Sequence, residues 1–329
     1  MATKRRIRKR IKKGIRKAPI VIIALLVIVA AAVMLWQNGV FEDIANGIGS
    51  GKNNNNKNDN TIFIPDEGEE VSFHIIDVGQ GDAILIRTSE GNMLIDSGDL
   101  ASDSQAKLAN YLEKEGIESF EYVIFTHTDA DHIGSGDIII KNYDVKTVIM
   151  PDYQATTKVY KRLVDAIAAK DVELILIGED KDCEEPGYTF DLGPVLHTVM
   201  APTEDFKDAN EMSVVIKSVY GETSILLTGD AEKESEAAML EEYVNGELDV
   251  DILKAGHHGS HSSTTQDFFD ELTPEAVLIS CGEGNKYGHP HKEILATCEE
   301  AGVEVYRTDI NGTIIVRTDG VTYTIETEK

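Results

Sequence analysis

The sequence predicts an α+β body in which sheets are covered on their outer faces by helices. Three observations predict it. From Val71 onward short aliphatic runs alternate with Gly-rich and Asp-rich turns. Amphipathic helical segments are interleaved with these runs rather than grouped at one end. Finally, 42% of the 329 residues are hydrophobic, ample for a packed core. Periodicity leaves two architectures open, a doubly wound sheet and a two-sheet sandwich.

VSFHIIDVG, DAILIRT and NMLIDSG read as three strands, the latter two joined by the Ser-Glu-Gly turn at 89–91. A helix is expected over 104–116, with Leu108, Tyr111 and Leu112 on its apolar face and Gly116 as its stop, and EYVIFTH follows as a buried strand. Strands are expected at 145–150, 172–177, 195–200, 212–220 and 223–228, and amphipathic helices at 157–170 and 231–243. The alternation then repeats, with strands at 251–254 and 276–280, helices near 264–272 and 291–301, and closing strands at 303–306, 312–317 and 321–326.

Ahead of this body the composition changes. Ten of the 31 basic residues lie between Lys4 and Lys17, where no acid occurs, and no charge follows until after Phe41. The aliphatic run IVIIALLVIVAAAVMLW would span about 26 Å as a helix and the full uncharged run about 36 Å, against a hydrocarbon core of about 30 Å. A transmembrane helix at 18–41 is therefore expected, with the basic flank in the cytoplasm and the remainder outside the cell. The run is longer than a usual signal core, so an uncleaved signal anchor is expected rather than a cleaved peptide. NGIGSGKNNNNKNDN lacks apolar periodicity and reads as a tether. The expected division is a basic segment at 1–17, the anchor at 18–41, a linker at 42–65 and the body at 66–329.

Beyond position 17 the chain holds 21 basic against 58 acidic residues, a net of −37. Such a body repels polyanions unless a local patch or metal ions compensate. The three cysteines, Cys183, Cys281 and Cys298, show no metal-ligand spacing.

Every notable polar cluster falls where an expected strand has just ended. THTDADHIGS packs His127, Asp129, Asp131 and His132 into six residues after EYVIFT, Asp96 follows NMLI, Asp230 follows ILLTG, and His257 and His258 follow DILKAG. Rigid strands that aim ligands from their ends build a preorganised site. Asp96 or Asp230 alone would read as a turn residue. Together the clusters hold six of the nine histidines once His289 and His291 are counted. In THTDADHIGS the side chains alternate along an extended turn before His132 opens a helix. Two cations about 3.5–4 Å apart need this density of imidazole and carboxylate groups plus one carboxylate between them, for which Asp230 is the natural bridge. His257 or His258 would complete the second ion.

His127, Asp131 and His132 match the HxHxDH signature of the metallo-β-lactamase superfamily. More narrowly, FHIIDVGQGDAILIR, MLIDSGD, THTDADHIGS, LLTGDAE, LKAGHHGS and YGHPH together closely resemble the extracytoplasmic hydrolase domain of the ComEC competence proteins, over residues 71–326. The resemblance implies a four-layer αββα sandwich with the metals at one edge between the sheets. It accounts for Asp129, where the wider superfamily has His. Carried over by position, His127, Asp129, Asp131, His132 and Asp230 become metal ligands. Of His257 and His258, one would bind metal or act as general acid and the other would orient it by a hydrogen bond. Asn210 sits where the superfamily often has another His; its amide would contact a phosphoryl oxygen or the metal, or else mark a turn.

Replacing imidazole by carboxylate hardens the site, so Mn²⁺ competes with Zn²⁺ for the two divalent positions. Asp77, Gln80 and Asp82 are expected to shape the loop beneath the metals, with Asp96 supporting a ligand. Lys254 reads either as a contact to a substrate anion or as a solvent-facing strand residue. His289 reads as a substrate contact or a cap. The function expected is a membrane-anchored, extracytoplasmic metal-dependent phosphodiesterase or DNA nuclease. Alternatives are hydrolysis of a small ester, lactone or lactam, and a noncatalytic metal-binding surface module.

Overall fold

Two sheets carry the body. The computed structural model describes residues 69–178 and 183–329, so the expected basic segment, membrane anchor and linker lie outside the described residues. No helix among the described residues is long and apolar enough to cross a membrane.

The first sheet opens with β1 (Val71–Ile75), β2 (Ile84–Thr88) and β3 (Gly91–Ile95), paired antiparallel. Helix α1 (Ser102–Lys114) then carries the chain over to β4 (Ser119–Ile124), which runs parallel to β3. Parallel neighbours need such a crossover. Two short helices, α2 (Ala130–Ile133) and α3 (Gly136–Asn142), precede β5 (Asp144–Pro151), and α4 (Lys158–Lys170) precedes β6 (Glu173–Ile177). The second sheet begins with β7 (Thr189–Leu192), β8 (Val195–Ala201), β9 (Val215–Tyr220) and β10 (Thr223–Leu227), all antiparallel. It continues in parallel through α5 (Lys233–Glu242), β11 (Ile252–Lys254), α6 (Gln266–Leu272), β12 (Ala276–Ile279), α7 (Lys292–Ala301) and β13 (Glu304–Arg307). After α8 (Thr308–Asn311) the chain returns to the first sheet, where β14 (Ile314–Thr318) pairs with β1 and β15 (Tyr323–Thr327) forms the edge.

The two-residue period of each strand sorts its side chains between two cores. Phe73, Ile75, Ile84, Ile86, Met93 and Ile95 face the second sheet and meet Ile216, Ile225, Leu227, Ile252 and Leu278. Their neighbours Leu85, Leu94 and Val123 point the other way, onto Leu108 and Leu112 of α1 and Leu163 of α4. On the far side Leu226, Leu253 and Val277 meet Met239 of α5, Phe268 and Leu272 of α6, and Ile294 and Cys298 of α7. The order helix, sheet, sheet, helix resolves the choice that periodicity left open in favour of the two-sheet sandwich. Strands β7 and helices α3 and α8 were not among the expected elements.

Candidate metal centre

Three loops leave the first sheet at one edge and lock together by their backbones. The Asp82 N–H donates to the Asp131 carbonyl (3.2 Å), Gly98 N–H to Asp82 (2.8 Å), Ser97 N–H to His132 (2.6 Å) and Gly134 N–H to Gly98 (2.8 Å). Gly81 is required at φ +129°, because a Cβ there would collide with the Asp131 carbonyl. Gly229, at φ +54°, leaves no room for a Cβ against Thr126, and so brings Asp230 of the second sheet over these loops. His257 and His258 both take left-handed backbone conformations, φ 47° and 55°. Such strain is held only where the surroundings over-determine it. Here Gly229 O accepts the His257 N–H and Thr264 Oγ1 the Gly256 N–H.

Three buried imidazoles of the floor, His127, His132 and His258, are fixed through Nδ1. His132 Nδ1 donates to Asp96 Oδ2 at 2.7 Å, and the same oxygen accepts the Thr126 hydroxyl at 2.7 Å. Having given its proton to Asp96, Thr126 Oγ1 accepts from His127 Nδ1 at 3.1 Å. His258 Nδ1 donates to the Ser280 carbonyl at 2.9 Å. The Nε2 atoms of His127, His132 and His258 are thereby left with lone pairs, buried and without a hydrogen-bond partner. Asp230 is nearly fully buried. Its Oδ1 lies 3.2 Å from His132 Nε2, and its Oδ2 lies 3.5 Å from His258 Nε2 and 3.6 Å from His257 Nε2. Its two oxygens thus face different imidazoles, the disposition a bridging carboxylate needs.

Ligand atoms of Asp82, His132, Asp230 and His258 lie within 4.8 Å of one another. Orphaned lone pairs from nitrogen and oxygen donors in so small a volume fit a divalent cation. The charges agree. Burial opposes ionisation of His258, yet Asp230 and Asp82 hold its imidazole up at about 10. Burial likewise opposes a charge on His132, but Asp230 and Asp96 raise it well above the ordinary range. His127 is driven down to about 3 by burial and then by His132. Carboxylates that draw protons onto neighbouring imidazoles would draw a metal ion to the same Nε2 atoms, in competition with those protons.

A cavity of about 270 Å³ opens above this floor, lined by Gln80, Asp129, Asp131, Asn210, Asp230, His257, His258, Tyr287 and His289. Asp131 Oδ2 lies 3.4 Å from His258 Nε2. Asp129 is exposed at the mouth as the N-cap residue of α2, and helix formation begins at Ala130, not at His132 as the sequence suggested. His127 and His132 lie in the floor with Asp96 behind them.

Several expectations need correction. Lys254 lines neither the cavity nor the solvent-facing surface: it is fully buried, its Nζ paired with Asp82 and donating to Gly229 O at 2.9 Å. It shares the inward face of β11 with Ile252, as alternation requires. Asp82 is thus the counter-ion beneath the site, engaging Lys254 with Oδ2 and approaching His258 Nδ1 at 3.3 Å with Oδ1. Asp77 shapes its loop by accepting the Gly79 N–H, but its side chain pairs with Lys107 and does not line the cavity. Nor does either residue of the His pair orient the other. Their ring centroids lie 5.9 Å apart, and His257 Nδ1 donates instead to Glu232 Oε1 at 2.8 Å. Asn210 Nδ2 donates to that same oxygen at 3.2 Å. Sequence reasoning missed Glu232, which in GDAEKESE looks like one more acid on a helix start; its place two residues after Asp230 was the available signal. Gln80 bridges the sheets, its Oε1 accepting the Gly282 N–H at 3.1 Å.

The model of the metallo-β-lactamase superfamily matches residues 76–283. ComE operon protein 3 of Bacillus subtilis is 31% identical over 273 residues, 78% of this chain and 34% of that protein. Competence protein ComA of Neisseria gonorrhoeae is 27% identical over 74% of this chain and 32% of its own length. Recombination protein 2 of Haemophilus influenzae is 29% identical over 73% and 28%. The chain spans about a third of the length of these curated relatives. Among solved structures, the Rm3 metallo-β-lactamase superposes with a TM-score of 0.38 at 12% identity, covering 61% of this chain and 89% of that one. The chain belongs to the metallo-β-lactamase superfamily of metal-dependent hydrolases and is related within it to the ComEC-like competence proteins.

Proposed function

We propose that this protein is a membrane-anchored, extracytoplasmic phosphodiesterase that acts with two divalent cations, Mn²⁺ or Zn²⁺, on DNA or a smaller phosphodiester. One observation carries the metal-dependent part: three buried imidazoles are backed on Nδ1 and left with unpaired Nε2 atoms, and those of His132 and His258 face the two oxygens of Asp230 beneath a single cavity. His127, Asp129, Asp131, His132, Asp230 and His258 would hold the metals. Bound cations would supply a water of lowered pKa and offset charge on a phosphoryl group. His257 remains for proton transfer. Its Nδ1 is tied to Glu232, its side chain is a quarter exposed, and its Nε2 faces the cavity, where it can protonate a leaving oxygen.

The names of the relatives, competence and recombination proteins, support a nucleic-acid substrate, and Asp129 favours a hard metal suited to phosphate oxygens. The acidic body supports a short or single-stranded substrate over a long duplex held along the surface. The external location rests on the basic flank and the uncharged run at 18–41.

Metal analysis of the full-length chain, coupled to a screen of phosphodiesters and esters, tests the reading. Two bound divalent ions are expected, with phosphodiester cleavage that disappears in Asp131→Ala. Turnover of esters without phosphodiesters, or absence of bound metal, would overturn it.

A further inference from the structure

Among the nine residues around the cavity, Tyr287 contributes a large aromatic ring that is 51% exposed. Its ring is nonetheless held in place. It stacks on His289 with centroids 5.6 Å apart and planes 23° from parallel, and His289 is itself buried. The loop beneath is pinned by one side chain. Asn285 Oδ1 accepts the N–H groups of Tyr287 (3.1 Å) and His289 (3.0 Å), while its Nδ2 donates to the carbonyls of Gly282 (2.9 Å) and His289 (2.6 Å). A large aromatic fixed half in water at the mouth of a catalytic cavity is a preformed surface for a flat ligand. Beside it, Lys286 Nζ lies 4.9 Å from the Tyr287 centroid, a cation next to the cavity-lining ring in an otherwise strongly acidic body.

We infer that Tyr287 and Lys286 form a nucleotide platform: Tyr287 stacks on the base next to the scissile phosphodiester and Lys286 pairs with the adjoining phosphate. The inference rests on the phosphodiesterase reading and adds to it the two residues that hold an unpaired nucleotide at the cavity. A base in a duplex already has both faces covered, whereas an unpaired base offers a face to any aromatic ring. The exposed cation–π contact of Lys286 is weaker than a base–aromatic stack, so an arriving base displaces the ammonium towards its own phosphate. Recognition through one base and one phosphate needs no long basic groove, which reconciles a nucleic-acid substrate with the charge of the body.

The test compares kcat/KM of the full-length chain, supplied with Mn²⁺, on single-stranded oligothymidylate and on an abasic oligonucleotide of equal length. The wild type should prefer the base-bearing strand by about tenfold. That ratio should fall towards one in Tyr287→Ala and persist in Tyr287→Phe, while Lys286→Ala weakens both substrates alike. A ratio retained in Tyr287→Ala, or already near one in the wild type, overturns the platform and leaves the phosphodiesterase reading standing. Cleavage of neither strand, with no phosphodiester turned over, overturns both.

Discussion

Lys254→Met should destabilise the protein by about 3 kcal/mol, although the residue touches neither solvent nor the cavity. Its ammonium is fully buried against Asp82. Removing one partner of a buried ion pair costs about 3–5 kcal/mol, because the other charge is left without compensation. Two details set the expectation at the lower end. His258 Nδ1, 3.3 Å from Asp82 Oδ1, remains as a cationic neighbour. Gly229 O, which loses Lys254, still accepts the His257 N–H at 3.2 Å. At about 2–4 °C per kcal/mol for a domain of this size, the melting temperature should drop by about 6–12 °C. Melting followed by circular dichroism at neutral pH in EDTA measures it. In the double variant Asp82→Asn/Lys254→Met the buried charge is gone from both sides, so it should melt above the single variant. The pH dependence has a definite sign. Burial opposes the Asp82 charge, but Lys254 holds its carboxyl below the ordinary 3.8. The pair therefore contributes above about pH 4, and the deficit of Lys254→Met should shrink as pH falls below that value. A single variant that melts within a degree of wild type, or a double variant less stable than the single, would refute the reasoning.

Asp96 occupies a left-handed conformation, φ 60°, that Asn also tolerates, so Asp96→Asn should keep the fold while loosening His132. Competition with a chelating indicator should show metal binding weakened about 10- to 100-fold, and unchanged affinity would contradict the supporting role. Glu236 accepts the N–H groups of Thr264 and Thr265 beneath the GHHGS turn, and burial pushes its carboxyl up to about 7. Between pH 4.5 and 7 the folded protein keeps a proton that the unfolded chain has released, so stability falls as pH rises through that window. Glu236→Gln, which cannot ionise, should gain on wild type by about 3 kcal/mol across it; parallel urea midpoints over the same pH range would contradict this.

Much of the framework was legible because it is local. The short aliphatic runs closed by Gly or Asp gave strands β1 to β6 within a few residues, and their ends marked the polar clusters. Relations between clusters were less legible. Nothing local in KAGHHGS says that Lys254 turns inward, since a three-residue strand is too short for its alternation to identify a face. Glu232 was hidden by composition: among the acids of GDAEKESE its distinction is that Gly229 and the left-handed turn at His257 bring an imidazole to it. The strand expected over 212–220 starts later, at Val215, because Met212 and Ser213 close a turn onto Ala209 and Asn210 and the Val214 N–H goes to Thr126, while Glu211 is buried as an acceptor for the N–H groups of Glu232, Glu234 and Ser235. Long-range acceptors of this kind leave no periodic trace.

The pairing of β14 with β1 has a consequence for biogenesis. Ile314 sits opposite Ile75, two residues before the DVGQGD loop begins at Asp77 and more than two hundred residues away in sequence. Closing so long a loop is slow and comes late. During synthesis β1 has only β2 beside it until β14 has emerged, so one flank of the strand that leads into the Asp82 loop stays an open edge until then. The Asp82 loop is therefore seated against its complete sheet only after every candidate ligand from His127 to His258 has been made, so assembly of the site waits on a strand that contributes none of its ligands.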